Sequence, residues 1–89
     1  MEIELINGRF AIAEAEQLLT AIVKAKIAFH EQKISTIDQT EEDIKHSEGR
    51  ILKLERTLRE AVAQLKQNNR QFINIHAHIE LNFPPVVTQ

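Results

Sequence analysis

IAFHEQKISTIDQTEEDIKHSEGRI, residues 27–51, decides the fold, because it contains two places where a helical chain can reverse: Asp38-Gln39-Thr40 and Ser47-Glu48-Gly49. Apolar residues on either side recur at three- and four-residue steps, the spacing of one helix face. The upstream stripe runs through Ile12, Leu19, Val23, Ile27, Ile34 and Ile37, and His30 sits within it. The downstream stripe runs through Ile44, Ile51, Leu54, Leu58, Ala61, Val62 and Leu65, with Ser47 as its polar member. A fold-back near Asp38 and Gln39 sets Ile34 against Ile44, Ile27 against Ile51, Val23 against Leu54 and Ile12 against Leu65. It also sets His30 against Ser47, so that both polar interruptions fall in one layer. Thr40-Glu41-Glu42-Asp43 has the form of a capping box, and acidic residues there complement the positive end of a helix. Gly49 then lies inside the second helix on its outer face, where it costs roughly 1 kcal/mol relative to alanine.

Outward from this centre, Met1, Ile3 and Leu5 alternate with Glu2 and Glu4, the period-2 pattern of a half-buried strand, until Asn7-Gly8 reads as a strand-to-helix turn. At the other end Ile73, Ile75, Ala77, Ile79 and Leu81 alternate with Asn74, His76, His78, Glu80 and Asn82. Phe83-Pro84-Pro85-Val86-Val87 halts that strand and favours an extended tail. The expected elements are a strand over 1–6, a helix over 9–37, a turn at 38–40, a helix over 41–70, a strand over 73–82 and a tail over 83–89. Continuing the helical register sets Leu5 opposite Phe72 or Ile73, and Ile3 opposite Ile75. The fold class is mainly α: an antiparallel, coiled-coil-like two-helix hairpin flanked by short N- and C-terminal strands, β-α-α-β, assembling as an oligomeric helical bundle. The arrangement resembles coiled-coil assembly modules in general, and no motif assigns a family with a known activity.

Composition sets outer bounds. Eighty-nine residues, 43% apolar and 27% charged, suit one small folded domain with little room for an enclosed cleft. A net charge of −2 with interleaved signs offers no basic stripe for phosphates, so no nucleic-acid partner is expected. The absence of cysteine removes disulfides, thiolate metal sites and thiol nucleophiles. No apolar run reaches membrane-span length and no signal peptide is evident, so no membrane partner and a cytoplasmic location are expected.

The first helix carries more apolar surface than one seam can cover. Ala11, Ala15, Leu18, Ile22, Ala25 and Phe29 form a second flank beside the stripe. Ile22 and Phe29 lie beyond easy reach of the chain's own strands, so Leu18, Ile22 and Phe29 are the expected oligomer interface, with a second copy of the chain as the partner, or another protein. Three sets of residues invite chemistry. His76 and His78 share a strand face with Glu80 and are candidate metal ligands, although a solvated outer face explains them more simply. His30 with Ser47 is expected to be a hydrogen-bonded polar layer of the hairpin, since nothing orients the imidazole as a catalytic base. Lys24, Lys26 and Lys33 read as ordinary solvation beside Glu14, Glu16 and Glu31. No catalytic residue and no cofactor is expected. The functional reading is a non-enzymatic homo-oligomeric scaffold or protein–protein interaction module, with a metal-binding protein or a small holding chaperone as alternatives.

Overall fold

The structure, a computed structural model, describes residues 1–34 and 40–86. Four elements follow one another: β1 (Glu2–Ala11), α1 (Ile12–Ile34), α2 (Glu41–Gln67) and β2 (Phe72–Glu80). The helices lie against each other as a hairpin, and the strands pair antiparallel into a two-stranded ribbon. The expected helix end at Ile37, the turn residues Asp38 and Gln39, and the last tail residues Val87, Thr88 and Gln89 lie outside the described residues.

Local chemistry sets the helix ends. Thr40 is the N-cap of α2: its hydroxyl accepts from the Asp43 amide at 3.1 Å, and the Asp43 carboxylate accepts from the Thr40 amide at 3.4 Å. Both donors would otherwise be orphans of the first turn. The helix runs through Gly49 without interruption, so the chain does not reverse at the Ser47-Glu48-Gly49 breaker. α2 stops at Gln67, short of residue 70, because Asn68 turns extended and closes the end. Its side-chain amide donates to the Gln64 and Leu65 carbonyls, and its side-chain oxygen accepts from the Arg70 amide. α1 begins at Ile12 rather than Arg9, with the Glu14 carboxylate accepting from the Ala11 amide at 3.1 Å.

The N-terminal strand departs most from expectation. Asn7-Gly8 is not a turn: β1 continues through it to Ala11, and no glycine among the described residues adopts a positive φ. Two residues of β1 oppose one of β2 between Glu4 and Ile6, so Leu5 is the extra residue of a β-bulge. The bulge shifts the phase of the strand by one. Ile3 before it and Ile6, Gly8 and Phe10 after it all end on one face, opposite Ile79, Ala77, Ile75 and Ile73. The strand register is therefore displaced from the expected one: Ile3 meets Ile79 rather than Ile75, and Ile73 meets Phe10 rather than Leu5. β2 itself spans Phe72–Glu80, one residue earlier at its start than 73 and two shorter at its end than 82. The ladder still extends past it, since the Leu81 amide donates to the Met1 carbonyl at 2.7 Å.

Core formation is slight. Ile6, Ala15 and Leu65 are the buried apolar residues among those described, while the seam aliphatics Val23, Ile27, Ile44, Ile51, Leu54 and Leu58 are only half-buried. The particle measures 55 × 31 × 14 Å, with a radius of gyration of 17.0 Å. A compact chain of this length would have a radius of roughly 12 Å. Globular domains bury their apolar faces between packed layers, and here the hairpin and ribbon largely supply one.

Candidate functional site

The structure divides the expected interface residues. Leu18 and Ile22 are half-buried, whereas Phe29 is 47% exposed. Phe29 stands between two lysines of its own helix, with Lys26 Nζ 5.2 Å and Lys33 Nζ 4.9 Å from its ring centroid. At three and four residues' spacing the long side chains fold over the aromatic face, where the ring quadrupole attracts their charge. These lysines therefore do more than solvate the helix; with Phe29 they make a basic aromatic patch beside Ile22.

Behind this patch lies the polar layer. His30 is 7% exposed and Ser47 is also buried, each on the inner face of its helix. The expected hydrogen bond is not made. Both His30 ring nitrogens are buried with no hydrogen-bond partner among the described residues, and the ring instead meets Phe29 edge-on at 5.8 Å. Burial pushes the His30 pKa below its ordinary value, and Lys26, Lys33, Arg50 and His46 push it further the same way. All four of these neighbours are basic, and each disfavours the protonated ring.

The ribbon supplies a second surface, invisible to residue periodicity. Residues directly opposite on paired strands share a face, so Ile3 and Ile79 continue the apolar face that Ile6, Phe10, Ile73 and Ile75 begin. Near the helices this face is buried or half-buried. At the free end it is open: Met1, Ile3, Ile79 and Leu81 are exposed, as is Leu5 in the bulge. The reverse face carries Glu2 opposite Glu80, Glu4 opposite His78, and Asn7 opposite His76. Like charges facing each other there oppose pairing and leave the ribbon end acidic. Nearer the helices Arg9 covers the exposed Phe72 ring, 4.7 Å from its centroid.

His76 and His78 thus lie with Glu80 on the exposed ribbon face, and Glu4 stands directly across from His78. Among the described residues no three histidine, aspartate or glutamate side chains gather closely enough to hold a metal ion. The surface depressions are open to solvent; one runs between the helices and is lined by Ile27, Glu31, Glu55 and Leu58, and another at the hairpin base by Leu19, Ala61, Leu65 and Ile73. No helix among the described residues is long and apolar enough to cross a membrane. Comparison of the chain with known protein families, curated proteins and solved structures finds no match.

Proposed function

We propose that this chain is a non-enzymatic, homo-oligomeric helical hairpin acting as a scaffold or protein–protein interaction module. Its uncovered surface carries the reading. The chain exposes 7659 Å², against about 5,300 Å² for a compact monomer of its mass, an excess of about 2,300 Å². Burial of that excess by two copies would remove about 4,600 Å² in all, within the range of obligate homodimers. Ile3, Leu5, Phe29, Leu52, Phe72, Ile79 and Leu81 are among the exposed large apolar residues, and apolar area is the part whose removal from water drives association.

Light scattering on the tag-free chain tests this across a hundredfold dilution. The expected mass is a fixed multiple of 10.2 kDa, and Ile22→Glu lowers it while helicity falls only modestly. A single-copy mass at every concentration overturns the reading. If that single copy also binds an apolar dye in its native state, the exposed face supports a client-holding chaperone instead.

A further inference from the structure

Resting on the homo-oligomeric reading, we propose that the free edge of β2 pairs with the same edge of a second copy, antiparallel about a two-fold axis at His76, so that two ribbons join into one four-stranded sheet. Backbone hydrogen bonds identify the edge. The Leu81 amide donates to the Met1 carbonyl at 2.7 Å, and the Met1 amino group donates to the Leu81 carbonyl at 3.2 Å. Leu81 thus turns both of its backbone groups toward β1. That direction alternates along a regular strand, so Ile79, Ala77, Ile75 and Ile73 also face β1. Glu80, His78, His76, Asn74 and Phe72 hold their amides and carbonyls the other way, where no strand meets them among the described residues.

A second β2 fits this edge. A two-stranded ribbon is marginal in water and gains independent stability with further strands, and here its free end is open, with Met1, Ile79 and Leu81 exposed. β2 lacks the features that keep sheet edges apart. It contains no proline, lysine or arginine and no bulge, whereas β1 carries the Leu5 bulge and Arg9. Pairing centred on His76 matches all nine residues of β2: Ile73 falls opposite Ile79, Ile75 opposite Ala77, Asn74 opposite His78 and Phe72 opposite Glu80. Apolar residues meet on one face, and no two carboxylates oppose each other. Because the strands run antiparallel, the open end of each ribbon lies beside the helix-covered end of the other. Ile79, 43% exposed, then gains the half-buried Ile73 of the second copy. The excess surface of about 2,300 Å² per chain exceeds the roughly 800 Å² that each partner buries in a standard interface.

Amide hydrogen exchange in the full chain tests the pairing residue by residue. In the oligomer the Asn74, His76 and His78 amides should exchange within about tenfold of the Ile75 and Ala77 amides, which bond to β1; in a lone ribbon they exchange far faster. His76→Pro removes an outward amide and spares those facing β1, a change that an edge strand tolerates. It should raise the dissociation constant at least tenfold and free the Asn74 and His78 amides, with Ile75 and Ala77 still protected. The cysteine-free background permits a readout independent of that variant. At the axis the two facing α-carbons lie about 5.5 Å apart, within disulfide reach. His76→Cys chains should therefore crosslink to one another on mild oxidation, while Asn74→Cys chains should crosslink to His78→Cys chains and neither to itself. An intact oligomer with open Asn74, His76 and His78 amides, or with no His76→Cys crosslink, overturns the edge pairing and leaves the homo-oligomer standing. A wild-type chain of single-copy mass at every concentration overturns the homo-oligomeric reading itself.

Discussion

Replacement of Leu65 by alanine probes the small core where helices and ribbon join. Leu65 is 4% exposed and borders the same depression as Leu19, Ala61 and Ile73, at the end of the hairpin where α1 packs on α2. Truncation of a buried leucine costs about 2–5 kcal/mol, depending on how far the site collapses around the space left. Here the neighbouring depression opens to solvent, so water and relaxing side chains reach the vacated volume and the lower part of that range applies, about 2–3 kcal/mol. For a chain of this size each kcal/mol shifts Tm by roughly 4–8 °C, and the expected fall is roughly 10–20 °C. Thermal unfolding followed by circular dichroism, at one protomer concentration for every variant, measures it. Leu52→Ala is the control: Leu52 is 62% exposed, and its truncation should stay within about 0.5 kcal/mol of wild type. Equal Tm losses for the two variants, or a Leu65→Ala loss below about 3 °C, would refute the assignment of Leu65 to a shared core.

Acid should weaken the fold through His30. Because burial and the surrounding Lys26, Lys33, Arg50 and His46 lower its pKa in the folded chain, the unfolded chain takes up the proton first. This contribution is therefore neutral above the ordinary imidazole pKa of roughly 6.5 and becomes destabilising as pH falls through that value. Urea midpoints at pH 7.5, 6.5 and 5.5 should decline, and His30→Leu should flatten the decline; parallel slopes in the two chains would assign the effect to other groups. Gly49→Ala should raise stability by about 0.5–1 kcal/mol, since alanine is the better helix former and loses less freedom on folding. The new methyl group meets nothing within 4 Å, and a drop in the urea midpoint would contradict an outward-facing helical position there.

Much of the hairpin was legible because its determinants are local or periodic. The two stripes, the Thr40 cap and the strict alternation of residues 73–79 each carry their own signal, and the structure places helices and a strand over them. The flank residues Ile22 and Phe29 were found by helical position alone. The companion role of Lys26 and Lys33 was not, although their three- and four-residue spacing from Phe29 was a signal available to find it. His30 and Ser47 were legible as polar interruptions of opposing stripes, but a stripe does not say which contact a ring makes. The ring meets the adjacent Phe29 edge-on, and neither of its nitrogens finds a hydrogen-bond partner among the described residues.

The two helices, their inward stripes and the surplus of apolar residues follow from local order along the chain, because a helix closes its hydrogen bonds within its own segment and repeats its faces at a fixed period. How far β1 runs, where Leu5 bulges and which ribbon residues stay uncovered depend on pairing and packing between distant segments. A strand's hydrogen bonds belong to its partner, so the phase of β1 is settled by β2, and an Asn-Gly pair that would turn an isolated chain is held extended by the strand across from it.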